Sequence, residues 1–197
     1  MRIFISVLIL IFSFQSWTKA DDITDFEIEG ISIGDSALDY VNKNFINKEK
    51  YYYPASKKFA EFNIDKWNHK SFNFEIYDGV HITFKDNDSK YIVTSLRGKI
   101  YYFENNINEC YEIKKKIVSD LEEMFVIKRR NDDEGSHEAD ASEKSMTTST
   151  FLYFVNGGRA AVQCYDWSEE MKKYDNLSVS ISTEEYSYWL DYEAFDN

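Results

Sequence analysis

From Phe72 the hydrophobic period changes to two, in runs that polar turns interrupt as far as Phe103, and a chain with that period is expected to turn one face of a sheet onto a core. Phe72, Phe74 and Ile76 alternate with polar neighbours. Asp78-Gly79 carries the signature of a tight hairpin, and Val80, Ile82 and Phe84 continue the alternation on a return strand. The polar run Asp86-Asn87-Asp88-Ser89 predicts a turn before a strand over residues 91–96. Arg97-Gly98 predicts a further turn, and residues 99–103 a fourth strand. Short turns between strands of this kind predict an antiparallel meander, because parallel strands need long crossovers.

Helical period flanks this region. Residues 31–48 are expected to open a helix: Gly34 and Asp35 end an extended entry, and Ser36 followed three positions later by Asp39 is close to a capping box. Leu38, Val41, Phe45 and Ile46 then supply one apolar face. Residues 48–70, with Tyr51-Tyr52-Tyr53-Pro54, show no period. A second helix is predicted over residues 109–127, capped by Asn108, with Cys110, Ile113, Ile117, Leu121, Met124 and Phe125 facing inward. Residues 128–149 are charged and nearly devoid of apolar side chains, which predicts a flexible acidic loop. Beyond it, residues 150–156 and 159–167 flank Gly157-Gly158 as a hairpin, and residues 177–182 read as a strand. Ser182 with Glu185 predicts the cap of a short C-terminal helix ending near Tyr192.

Helices against antiparallel strands give an α+β class, expected as a single domain over residues 21–197. Residues 31–103 and 108–182 share the order helix, hairpin, connection, strand, which suggests a degenerate helix-plus-meander duplication.

The first twenty residues differ from the rest. Arg2 precedes an apolar run from Ile3 to Phe14, and Thr18-Lys19-Ala20 places small side chains where a signal peptidase reads. A run of about twelve residues falls short of the roughly 20 that span a bilayer. The expectation is a signal peptide over residues 1–20, cleaved near Ala20, and a mature chain that begins at Asp21 and works in a periplasm or outside the cell. No cysteine stands near the cut, so no lipid anchor or other stable membrane anchor is expected. An oxidising compartment then gives the cysteines Cys110 and Cys164, the two in the chain, a meaning: they are expected as a disulfide.

A formal net charge of −12 disfavours nucleic acid and anionic lipid as partners. Known catalytic arrangements are not legible. The chain lacks G-x-S-x-G, and its histidines, His69, His81 and His137, stand at no suggestive distance from a serine. His81 is expected on a solvated strand face, and His137 in the flexible loop. No catalytic residue, metal ligand or cofactor is assigned. Asp86-Asn87-Asp88 opens like a calcium loop, but Lys90 and Arg97 stand where oxygen ligands belong. Asp132-Asp133-Glu134 with His137, Glu138 and Asp140 reads first as a solvated loop and alternatively as a loose calcium site. Aromatic residues form 17% of the chain, and Tyr51, Tyr52 and Tyr53, or Tyr165 with Trp167, are candidate ligand-contact rings.

The Ile31-Ser32-Ile33-Gly34-Asp35-Ser36 opening, Cys110 on a helix and Cys164-Tyr165-Asp166-Trp167 resemble a group of small exported bacterial proteins without an assigned activity. That resemblance implies export and a compact fold and carries over no functional residue. The first half also resembles the small outer-membrane assembly lipoproteins, from which the chain departs in lacking a lipid-accepting cysteine. The expected function is a non-enzymatic binding module with a protein or saccharide ligand, its oligomeric state left open by the sequence. The alternatives are an envelope hydrolase using carboxylates and a weakly calcium-responsive protein.

Overall fold

Backbone pairing in this computed structural model, which describes residues 22–103 and 106–195, carries the alternation into one large sheet. The expected signal peptide and its cut at Ala20 lie outside the described residues. A small hairpin comes first, β1 (Glu27–Ile28) with β2 (Ile31–Ser32), followed by α1 (Lys43–Glu49), β3 (Phe59–Asp65), β4 (Gly79–Lys85) and β5 (Val93–Tyr102). Then follow α2 (Ile107–Met124), β6 (Ile127–Ser136), β7 (Met146–Phe154), β8 (Arg159–Asp166), β9 (Asp175–Ser182) and α3 (Glu184–Tyr192). The large sheet has seven antiparallel strands in the order β3-β4-β5-β9-β8-β7-β6. The class is therefore α+β. Each half runs from a helix into an antiparallel meander, and the two meanders meet where β5 pairs with β9.

Alternation gives the sheet two different faces. On one, Phe62, Ile82, Leu96 and Ile181 lie in register, as do Ile64, Val80, Val179 and Val162, and all are buried. Ile28, Ile31, Val41 and Ile46 join this core from the N-terminal hairpin, the turn after it and α1. Helix α2 packs on β8 and β9 with Cys110, Val118 and Leu121 buried. The sulfurs of Cys110 and Cys164 lie at bonding distance, with Cα atoms 6.0 Å apart, which ties the first turn of α2 to β8. At one end of the opposite face a smaller cluster of Phe59, Tyr186, Trp189 and Ala194 seats α3.

Several elements differ from expectation for local reasons. The 31–48 helix divides in two. Ser36 Oγ accepts from Leu38 N at 3.2 Å and caps only a 3-10 turn, while Asn42 Oδ1 accepts from Phe45 N at 3.0 Å and starts α1. Leu38 is consequently exposed. Residues 72–76 are not a strand: the carboxylate of Glu29 accepts from the backbone N–H groups of Glu75, Ile76 and Tyr77 at 2.7, 2.8 and 2.6 Å. Those donors are spent on a side chain, and the strand beside β4 is β3. The latter showed no period because Phe59, Ala60, Glu61 and Phe62 are all buried, so both of its faces are covered. Asp78-Gly79 accordingly ends a connection rather than a tight hairpin.

Arg97-Gly98 is no turn either, since β5 runs straight through it. A Cβ at Gly98 would stand 2.5 Å from Tyr77 Cδ1, so the glycine admits a ring, not a bend. The segment read as a flexible acidic loop, 128–149, is mostly the β6–β7 hairpin, with its loop between Ser136 and Met146. Strand β6 is a charged, exposed edge, and its side chains keep other strands from pairing with it. Helix α2 starts at Ile107 with Asn106 at its N-cap position, two residues earlier than expected, and Thr183 rather than Ser182 caps α3, accepting from Tyr186 N at 3.2 Å.

Two measurements check this account. Replacing both cysteines, Cys110→Ala with Cys164→Ala, removes a link across 54 residues and should lower stability by about 3–4 kcal/mol in urea unfolding. An unchanged midpoint would mean the sulfurs are not joined. Gly98→Ala should lose about 1–3 kcal/mol through overpacking against Tyr77, and Tyr77→Leu in the same chain should recover part of that loss.

Candidate functional site

The face of the sheet away from α2 is polar, and strand register arranges its side chains in rows. Asn63, His81, Arg97, Ser180 and Ala161 form one row across β3, β4, β5, β9 and β8. The next holds Gly79, Lys99, Ser178, Gln163 and Ser149, and a third Tyr101, Asn176, Tyr165 and Thr147. Helix α3 covers the end of this face at Phe59. Further along, His81, Arg97, Lys99, Ser180, Gln163, Tyr101 and Tyr165 are all half-buried.

A charged network occupies the margin under α3. Glu61, 2% exposed, accepts from His81 Nδ1 at 2.8 Å, from the Tyr51 hydroxyl on the same oxygen, and from the Tyr53 hydroxyl at 3.2 Å on the other. Desolvation alone would raise the Glu61 carboxyl. The Arg97 charge and the bonds from His81 and Tyr51 overcome it and hold the group well below the usual carboxylate range. His81 titrates below its ordinary value, first because it is desolvated and next because Lys99 and Arg97 lie near; the Glu61 bond opposes this. With Nδ1–H donating to Glu61, His81 is a neutral, oriented imidazole.

Lys99 sits one row further in. Desolvation, then the Arg97 charge, bring its ammonium down to about 8, against a smaller opposing pull from Glu61. No carboxylate lies within ion-pair distance of it among the described residues. Its flanking positions are small, Gly79 on β4 and Ser178 on β9. Lys173 adds positive charge from the β8–β9 connection, its Nζ 4.0 Å from the centre of the Trp167 ring.

Aromatic pairs stand in the next row, on either side of Asn176. Tyr101 meets Trp67 with centroids 5.8 Å apart, and Tyr165 lies parallel to Trp167 at the same separation, with His137 4.5 Å from Trp167. Asn176 lies between Tyr101 and Tyr165; its Nδ2 donates to Tyr174 O at 3.1 Å, but its buried Oδ1 has no hydrogen-bond partner among the described residues. A buried acceptor left in that state costs about 1–3 kcal/mol.

The candidate rings named from sequence thus part company. Tyr165 and Trp167 do form a stacked pair. Tyr51 and Tyr53 turn their hydroxyls inward to Glu61, and Tyr53 packs edge-on to Trp189 at 5.3 Å. Tyr52 instead donates to Asp86 at 2.7 Å, on the far side of the segment. His81 is half-buried and held in the network rather than solvated, and His137 is fixed, its backbone N–H donating to Ser145 O at 2.8 Å. The acidic clusters are otherwise engaged. Asp132 takes Arg130 and Thr150, the buried Asp140 takes Ser142, Ser145 and Ser168, and Asp88 accepts from the backbone of Lys90 and Ile92. Among the described residues no three His, Cys, Asp or Glu side chains are grouped to hold a metal ion. Nothing in the sequence marked Glu61, Arg97 and Lys99, whose meeting depends on strand register.

No protein-family model, curated protein or solved structure matches this chain.

The network carries a pH signature with a definite sign. Glu61, depressed in the fold, adds stability that is full above its unfolded value of 4.5 and is lost as pH falls toward its folded value. His81, also depressed, resists the proton that the unfolded chain takes up near 6.5, so stability falls below that pH as well. Urea unfolding should therefore show a midpoint that drops as pH decreases from 7, beginning below about 6.5. His81→Gln should flatten the upper part of the drop. Glu61→Gln should lower stability at pH 7 by about 1–3 kcal/mol while weakening the acid dependence. A wild-type midpoint constant between pH 7 and 5 would contradict the assigned states.

Proposed function

We propose that the protein is an exported, non-enzymatic binding module whose ligand lies on the polar face of the sheet, over β5, β9 and β8. One observation carries this reading: on the half-buried face a cation without a carboxylate partner stands one row from Asn176, which two aromatic pairs flank. Charge left unpaired in a protein calls for an external counter-charge or solvent, and rings beside a polar floor are the makeup of ligand sites. The Glu61–His81 pair does not divert the reading toward hydrolysis. Both groups are committed to one another and to Tyr51 and Tyr53, which fits a support for Arg97 better than a proton shuttle.

Export draws support from the expected signal at residues 1–20 and from a cysteine pair placed for a disulfide. No helix among the described residues is long and apolar enough to cross a membrane.

Both parts are open to direct measurement. Protein recovered from the envelope or medium of its native cells should begin at Asp21 and show no thiol reactive to a maleimide after denaturation. On arrays of peptides and glycans, the wild-type chain should mark a discrete set of ligands. Ser180→Trp, which fills the middle of the Arg97 row, should abolish those signals. Equal binding by both proteins would place the ligand elsewhere.

A further inference from the structure

We infer that the ligand is an acidic saccharide, held with one anionic group at Lys99 and its ring over Asn176, between Tyr101 and Tyr165. The inference rests on the binding role proposed above and names the class of molecule that the face would take.

Charge sets the first requirement. The chain carries −12 overall, yet Arg97, Lys99 and Lys173 gather at this one place. Arg97 is matched by Glu61, whereas Lys99 and Lys173 face each other's field without a carboxylate at ion-pair distance among the described residues. A carboxylate or sulfate would relieve that repulsion, and a cation would add to it. The acidity of the remaining surface turns away polyanions such as nucleic acid, so the favoured anion is small or carries its charges sparsely.

The strands set the second. β5, β9 and β8 are interior, and their backbone donors and acceptors are used in the ladders on both sides. A peptide adding itself as a strand has no free edge here, so recognition must pass through side chains alone. The partly exposed ones among them are the Ser180 hydroxyl and the Gln163 amide, with Ser178 and Asn176 buried in the same rows. They suit a ligand rich in hydroxyl groups.

Spacing sets the third. Tyr101 and Tyr165 are separated by two ladders, roughly 10 Å at the usual strand spacing, and each is extended outward by a tryptophan. Rings so placed offer apolar faces to the C–H surface of a sugar while the floor pairs with its hydroxyls. Trp67, 59% exposed, presents its ring to solvent beside Tyr101.

The experiment uses the full mature chain and tryptophan fluorescence, since Trp67 and Trp167 border the site. Probes are galacturonate oligosaccharides, their neutral methyl esters, singly sialylated oligosaccharides with their neutral asialo forms, and neutral cello-oligosaccharides. The expected result is saturable binding of at least one acidic series, with the matching neutral series weaker by about tenfold or more. Added sodium chloride should weaken it further. Lys99→Gln should reduce affinity about tenfold and Lys99→Arg should largely retain it, a pair that separates lost charge from lost folding. Trp67→Ala, at an exposed position, should cost about threefold or more.

The outcomes divide cleanly. Binding of neutral sugars with equal strength, abolished by Ser180→Trp, would overturn the acidic class and keep the face as the site. Binding of acidic sugars that ignores both Lys99→Gln and Ser180→Trp would overturn both readings. No binding of any series at millimolar concentration would overturn the saccharide class, and peptide signals sensitive to Ser180→Trp would then leave the binding role standing.

Discussion

From Ser95 opposite Ser182 to Tyr102 opposite Asp175, β5 and β9 run antiparallel for eight residue pairs, and this ladder joins the two halves of the chain. The strands before β5 reach the rest of the large sheet only through it, and those of the second half reach the first only through β9. Register there also decides sidedness. A slip of one residue would exchange Leu96, Gly98 and Ile100 with Arg97, Lys99 and Tyr101 and bring charge into the apolar core. The apolar core thus specifies the polar face: burying Leu96 and Leu177 obliges Arg97 and Ser178 to point the other way.

The two sides of the sheet are secured differently. The apolar side is covered by α2, α1 and the N-terminal hairpin, with Cys110 and Cys164 adding a covalent tie at α2. The polar side is closed at the Phe59 end by aromatic side chains of α3. Glu61 stands at the boundary. Its neighbours in the cluster are apolar, so its charge is sustained by Tyr51, Tyr53, His81 and the nearby Arg97, and removing any of these would leave part of a buried carboxylate unsatisfied.

Sequence pattern revealed the elements whose two faces differ. Val80, Ile82 and Phe84 announced β4, the Gly157-Gly158 turn announced the β7–β8 hairpin, and Cys110 to Leu121 gave the inner face of α2. It failed where that contrast is absent or where a long-range contact decides. β3 is covered on both faces and β6 on neither, so neither shows a period of two. Residues 72–76 alternate like a strand but are claimed by Glu29, far away in the chain. Gly98 reads as a turn until Tyr77 is placed against it. The site follows the same logic: Tyr165 and Trp167 are close in sequence and were legible, while Glu61, His81, Arg97 and Lys99 come from three strands and become neighbours only through register.

Stability alone does not account for the polar face. Apolar residues at His81, Arg97 and Lys99 would extend the cluster around Phe59 and avoid desolvating charge, and exchanges of that kind are commonly neutral or stabilising. Glu61 and Arg97 can be understood as a mutual accommodation, since each lowers the burden of the other. Lys99 has no such defence. After burial, the like-charged Arg97 acts on it more strongly than Glu61 does, its register neighbours Gly79 and Ser178 bring no counter-charge, and the fold lowers its proton affinity rather than raising it. A residue that the surrounding structure disfavours in its charged form makes sense where its charge is used by something outside the chain, and the rows around Lys99 are the part of the molecule built from groups able to receive it.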